Sequence, residues 1–589
     1  MRVSTNNRGG RPMIMCTRGV VAAGHYLAAE AGLHILRSGG NAMDAAAATG
    51  FALGVLEPHQ NGIGGEVPVL IYSAAEGMVY AVSGHGVAPA AATIDRYREL
   101  GVTDIVPGDG FLGALVPPVV ATWIAVLERF GTMRLRDVLT PAMELAGDGF
   151  PMGMALHGTI ASHAERFRSE WPSSAAKFLP GGEPPPVGSI WRQPELAGTF
   201  RKLIEAEATA ADRAEGLAAA RERFYRGDIA DAIIEFASST PVRDASGQEH
   251  VALLTMEDMA AFSTRVEPPL AVTYKGLDVH KCSSWTQGPV LLQTLRLLEG
   301  FPLREMGHNS ADYIHTVVEC MKLAYADREF YYGDPEFADV PFDRLLSEDY
   351  AAERRQLVDM NQASMLLRPS GYEPVRAEKL ADVLDAFGDD GGWRKDDGDT
   401  TKLEAADADG NMVSATPSGG WLMSSPVVPG VGLPLGTRGQ MFSLVEGHPN
   451  SLQPGKRPRM TLTPSLVTRE GKAHLAFGSP GGDCQDQWGL QFFLNVVEFG
   501  MSLQEAAEAP TFHTAHFPSS FYPRRAEPGV VYVEGRIPED VRKELGSRGH
   551  IVKVSGDWSS QNVLAAMSDG GVLKAAASPR LETGYALGW

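Results

Sequence analysis

Thr400 and Thr401 lie between an acidic run ending at Asp399 and the basic Lys402, and this is where the chain best suits covalent chemistry. A threonine hydroxyl is a weak nucleophile at neutral pH and needs a base beside it. Cleavage between Asp399 and Thr400 would supply that base, because the new α-amino group titrates near ~8 and shares a residue with the hydroxyl. A residue so equipped attacks an amide carbonyl, holds the acyl group as an ester, and passes it to water or to an amine.

The elements around Thr400 have to present it. Lys402 to Ala408 and Met412 to Thr416 read as two strands joined by a turn at Asp409-Gly410-Asn411, a hairpin pattern. Upstream, the acidic stretch from Asp359 to Asp399 has no apolar period and reads as an exposed linker. From Gly19 to Gly50 the pattern is small and apolar at helical spacing, broken at Gly39-Gly40-Asn41, with an Ala-rich buried helix expected from Ala45 to Leu56. Val67 to Tyr72 and Val79 to Ser83 read as a second hairpin. Residues 115–147 and 194–237 read mainly as helices, and Ala311 to Tyr332 is the strongest helix, with Ser310 as its N-cap.

The 589 residues carry a formal net charge of −20, which argues against a nucleic-acid partner because phosphate binding needs clustered Lys and Arg. Apolar content of 44% supports a sizeable core. Cys16, Cys282, Cys320 and Cys484 form no close pair, so neither zinc nor a disulfide framework is implied, and a reducing cytoplasm is expected. The N-terminus lacks the apolar run of a signal peptide. The stretch Leu115 to Leu127 is interrupted by Pro117 and Pro118 and is too short to span a bilayer. His513 and His516 have a spacing a metal could use, yet no third ligand stands beside them, so core or surface histidines are the better reading, as for His308 and His315. No metal and no cofactor are expected.

Several motifs, in order, resemble the γ-glutamyltranspeptidase family almost end to end. They are Gly39-Gly40-Asn41-Ala42-Met43-Asp44, Gly62-Ile63-Gly64-Gly65, Ala324-Tyr325-Ala326-Asp327-Arg328 with Gly333-Asp334-Pro335, Pro454-Gly455-Lys456-Arg457-Pro458, and Gly478-Ser479-Pro480-Gly481-Gly482. The resemblance implies an α+β fold, a four-layer αββα sandwich of the N-terminal nucleophile hydrolase type. It further implies a large chain of residues 1–399, with an acidic processing linker from about 360, and a small catalytic chain of residues 400–589. Thr400 matches the family nucleophile. Ser418 falls where the family has a second hydroxyl that hydrogen-bonds it, and Gly481 and Gly482 match the oxyanion-hole pair. Read alone, Gly481-Gly482 could be a plain turn; a phosphate loop is disfavoured, since no Gly-Lys-Ser/Thr follows. Gly64, Gly65 and Glu66 read as close packing, and Asp483 as the cap of a following helix.

The family's glutamyl pocket is not matched. Ile94 stands where the family has an arginine for the α-carboxylate, Met460 and Thr461 replace two serines, Gln440 replaces the aspartate for the α-ammonium, and Gly420 replaces an asparagine. Losing a charged partner on a desolvated ligand costs several kcal/mol. Arg438 and Arg459 are new charges that could take a differently placed carboxylate, although each reads first as an ion-pair partner. The expectation is an amidohydrolase or acyltransferase acting on a small amide or peptide-like substrate, with an acyl group other than γ-glutamyl. Three alternatives stand beside it: a true γ-glutamyl hydrolase with replaced contacts, a silent uncleaved paralogue that binds a ligand, and a nucleotide-binding α/β protein. The partners expected are the two chains themselves as a heterodimer, with further dimerisation open, and neither nucleic acid nor membrane.

Overall fold

The computed structural model describes residues 10–380, 400–580 and 583–589. Of the acidic linker expected from about 360 to 399, residues 381–399 lie outside them. Residues 360–380 do not form an exposed linker, since Leu367 and Ala377 pack into an apolar cluster. Two seven-stranded sheets form the centre. The first runs Tyr585–Gly588, Gly19–Ala23, Leu403–Asp407, Met412–Ala415, Val69–Ser73, Met78–Val82 and Val266–Glu267. The second runs Ile14–Cys16, Val572–Ala577, Leu564–Asp569, Lys472–Gly478, Ser465–Arg469, Leu277–Lys281 and Leu270–Tyr274. Neighbouring strands are antiparallel throughout both sheets. Each sheet draws strands from both sides of Thr400.

Strand alternation explains how the layers meet. Val20, Leu70, Tyr72, Ala406 and Met412 of the first sheet share an apolar cluster with Leu466, Ala476, Ala566 and Ala575 of the second. The alternate residues Val21, Ala23, Val69, Ile71, Ala405 and Val413 face the other way, into a helical cluster. Val279, Val467, Leu475, Phe477 and Ala565 do the same on the second sheet.

The helices largely follow their sequence signals. Ala42–Leu56 starts with a capping box, Asn41 accepting from Met43 and Asp44 and Asp44 from Asn41. Every residue of it is buried, and a Cβ on Gly50 would lie 2.3 Å from Trp123, which accounts for its small side chains. Ala311–Tyr331 is capped by Ser310 as expected. Helices Val119–Phe130, Leu135–Asp148, Pro194–Ala208, Arg213–Tyr225 and Asp228–Ser239 fill the two helical stretches. The exception is Gly19–Ala23, a buried strand before the helix Tyr26–Arg37; fully buried strands lose the alternation that would distinguish them from helix. Among the described residues no helix is long and apolar enough to cross a membrane.

Candidate active site

The 403–415 hairpin sets the geometry at Thr400. Leu403 faces Ala415, so three steps back on one strand and three forward on the other place Thr400 opposite Ser418. Their eighteen-residue separation is therefore a consequence of register. Thr401 N–H donates to Pro417 O at 3.1 Å, and Thr400 Oγ1 lies 3.1 Å from Ser418 Oγ. Both residues are buried.

Behind Ser418 stands Arg438, whose Nη2 donates to Ser418 Oγ at 2.9 Å and whose Nε donates to Glu66 at 3.1 Å. Glu66 pairs with Ser418 through its backbone as well. The Arg438 guanidinium stacks 4.9 Å from the Trp421 ring and 5.7 Å from that of Phe521, and its buried Nη1 has no hydrogen-bond partner among the described residues. Burial pushes the Glu66 carboxyl up, against the pull of Arg438. Glu66 thus does more than fill space, the role its sequence context suggested. The tight packing expected of Gly65 is present, since a Cβ there would lie 2.2 Å from Ser418 O.

Gly481 and Gly482 take positive φ values of 117° and 52°, backbone that a side chain would strain. A Cβ on Gly481 would lie 2.3 Å from Trp488, and one on Gly482 2.8 Å from Phe521, the ring that also covers Arg438. The following helix, Gln485–Val497, has no side-chain cap. Asp483, expected to cap it, instead bonds Ser520 N and Oγ (2.8 and 2.7 Å) and pairs with Arg328. The carboxylate is drawn away by a guanidinium, a stronger partner than helix N–H groups.

The pocket candidates divide. Gln440 is committed at both ends, its amide nitrogen donating to Gly108 O at 3.1 Å and its oxygen accepting from Tyr522 N at 3.0 Å. Gly420 has φ of 60°, and a Cβ would lie 2.6 Å from Gly65 N, so no side chain fits there. Thr461 is buried, and its hydroxyl has no hydrogen-bond partner among the described residues. Arg459 pairs with Glu329 at 2.9 Å, which also takes Arg328 and Arg524 (2.7 and 2.8 Å). Burial pushes the Glu329 carboxyl up, but Arg459, Arg328 and Arg524 outweigh it and hold it well below the usual range. Burial pushes Arg459 down to about 10. Of the two new arginines, Arg438 is the one seen to bond Ser418, which touches Thr400. Among the described residues no three His, Cys, Asp or Glu side chains gather as a metal site.

Sequence reasoning missed Lys402 and Glu404. Alternation puts Thr400, Lys402 and Glu404 on one face of the strand, and both charged groups are buried there. Trp421 and Phe521 were missed as well, because single aromatics in loops carry no periodic signal.

The sequence profile of the family described as gamma-glutamyltranspeptidase matches residues 28–588. The glutathione hydrolase-like YwrD proenzyme of Bacillus subtilis is 31% identical over 572 residues, covering 96% of this chain and 98% of that one. The acylase ACY 1 proenzyme of a Pseudomonas strain is 33% identical over 574 residues, with 95% and 92% covered. Among solved structures, LmbA2991HD matches with a TM-score of 0.93 at 45% identity, covering 99% of this chain and 100% of that chain. Cephalosporin acylase from Bacillus halodurans matches with a TM-score of 0.83 at 31% identity, covering 100% and 99%.

Proposed function

The chain belongs to the γ-glutamyltranspeptidase family of amide-hydrolysing and acyl-transferring enzymes, and from that premise we propose a self-processing enzyme that works through Thr400 on an acyl group other than γ-glutamyl. The observation that carries the reading is the Thr400–Ser418–Arg438 array, a nucleophile hydroxyl 3.1 Å from a second hydroxyl held by a buried guanidinium.

In maturation, Thr400 Oγ attacks the Asp399 carbonyl carbon, the peptide C–N bond breaks, and water hydrolyses the resulting ester. This leaves an Asp399 carboxylate and a free Thr400 amine. Residues 1–399 and 400–589 then remain together as large and small chains, their sheets and outer helices stacked as four layers, αββα. In turnover, the α-amino group takes the Oγ proton as Oγ attacks the substrate amide. The proton passes to the leaving amine, and water or a second amine releases the acyl group. Backbone N–H groups at Gly481 and Gly482 hold the oxyanion, and Ser418 orients Oγ.

The acyl group lacks an α-ammonium. Gln440 offers no negative charge for it and is held by Gly108 and Tyr522, and Gly420 admits no side chain that could replace the family's asparagine. Arg438, between Trp421 and Phe521, is linked to Thr400 through Ser418, and this surround favours an acyl chain with apolar bulk or a lone carboxylate. The names of the acylase relatives support the same direction.

Intact mass under denaturing conditions should show two chains divided at 399/400, and Thr400→Ala should give one uncut chain without amidase activity. With 4-nitroanilides, glutaryl, which is γ-glutamyl without its amino group, should exceed γ-glutamyl in kcat/KM by at least about tenfold. A preference for γ-glutamyl would sink the specificity reading. An uncut wild type would favour the silent paralogue.

A further inference from the structure

Lys402 and Glu404 form a buried ion pair on the strand that carries Thr400, two and four residues beyond it, and the mechanism above uses neither. Lys402 Nζ lies 2.7 Å from Glu404 Oε1 and donates to Ser414 Oγ at 2.8 Å and Ala415 O at 3.0 Å. It therefore bolts together the two strands that set Thr400 opposite Ser418. Its methylene arm lies against Gly478, where a Cβ would be 2.2 Å from Cε; only glycine permits that approach. Gly478 opens the segment leading to Gly481 and Gly482.

The link continues into the second sheet. Ser465 N donates to Ser414 Oγ at 3.3 Å, and Ser465 Oγ accepts from Lys281 Nζ at 2.9 Å. Lys281 lies 3.0 Å from Asp486, in the first turn of the helix after the glycine pair, and Thr463 Oγ1 donates to the same carboxylate at 3.0 Å. Two buried ion pairs thus join the Thr400 strand to the helix behind the glycine pair.

Stability does not explain them. Taking two ions out of water commonly costs as much as their attraction returns. Burial raises the Glu404 carboxyl to about 7 and lowers Lys402, each against the pull of the other. Burial likewise raises Asp486 to about 6, against Lys281. The charged and titratable groups that act on the first pair from the opposing sheet are Lys281 and Cys282.

We propose that Lys402, held by Glu404, is a positioning residue for acyl transfer, fixing Thr400 against Ser418 and against the Gly481–Gly482 loop. This rests on Thr400 being the nucleophile. Protonating Glu404 takes away the counter-charge of Lys402, so acylation depends on two protonation events, one on the Thr400 amine and one on Glu404.

The probe is 4-nitrophenyl acetate, with nitrophenolate release and a hydroxylamine-labile adduct on the chain starting at Thr400 as readouts. Wild type should lose acylation rate with a two-proton dependence below about pH 7. The double variant Lys402→Met/Glu404→Leu leaves no unpaired buried ion. It should keep or raise the wild-type melting temperature, lose at least tenfold in maximal acylation rate with an unchanged half-saturating concentration, and retain a one-proton limb. If it stays uncut while melting like wild type, the positioning role is supported at the maturation step. If it does not fold, Glu404→Gln and the wild-type limb decide, and a one-proton wild-type limb overturns the proposal. So does a folded double variant with wild-type rate and pH profile. Thr400→Ala separates the two readings. If its uncut chain still forms a hydroxylamine-labile adduct in the segment from residue 400 onward, the nucleophile assignment falls; if it is silent while the double variant behaves as wild type, only this inference falls.

Discussion

At the scale of single residues, the decisive contact is Thr400 Oγ1 to Ser418 Oγ, backed by Arg438. Ser418→Ala removes the group that, on the proposed mechanism, orients the nucleophile, and it leaves Arg438 Nη2 without its hydroxyl acceptor. A fall in kcat of about tenfold to a hundredfold with little change in KM is expected from steady-state kinetics on the preferred 4-nitroanilide. An effect confined to KM would assign Ser418 to substrate binding instead. The pairing of Thr400 with Ser418 was legible only through the family landmarks around them, since an isolated Asp-Thr-Thr is more often a plain strand residue in a polar turn; the structure brings the two side chains together. Arg438 was half legible. Its identity as an unusual cation stood out, but its anchoring on Glu66 required two segments 372 residues apart to meet. The Gln440 replacement shows the converse: the lost charge is plain in the sequence, while the double engagement with Gly108 and Tyr522 is not.

At the scale of elements, the glycine loop is constrained both by its backbone and by the rings that cover it. Gly481→Ala sets a Cβ 2.3 Å from the Trp488 ring at a φ of 117°, so either the loop or the aromatic ring must move. We expect at least about a tenfold loss of kcat with the two chains still formed, read by kinetics and intact mass together. Wild-type kcat would show that the N–H groups here do not hold the oxyanion. Periodicity revealed the elements with strong signals: the Ala311–Tyr331 helix, the 403–415 hairpin and the Val69–Val82 hairpin. It failed at Gly19–Ala23, buried on both faces, and capping preference failed at Asp483, where a distant guanidinium outcompeted the local helix end. Both failures have one physical origin, a tertiary contact overriding a local preference.

At the scale of the molecule, the pH response of folding should carry the mark of Glu404. The folded protein keeps a proton on this carboxyl up to about 7, whereas the unfolded chain releases it near 4.5. The stability it contributes is present below the lower value and lost as pH rises to the higher one. Melting scans from pH 4.5 to 8 should show this decline flattened in Glu404→Gln; an unchanged slope would assign the decline to other groups. The two chains should also co-elute under native conditions after cutting, since Gly19–Ala23 lies between Tyr585–Gly588 and Leu403–Asp407 in one sheet, with strands exchanged likewise in the other. With the proposed cut at 399/400, that interleaving gives the enzyme a one-way history. The uncut chain can thread its strands while they are still tethered, but two separated chains would have to rediscover the same weave by collision. Denatured and diluted, uncut Thr400→Ala should recover its circular dichroism where the mature enzyme does not. The cut then works as a ratchet, and the lifetime of the working molecule is a rate of unfolding rather than a balance of folded and unfolded forms.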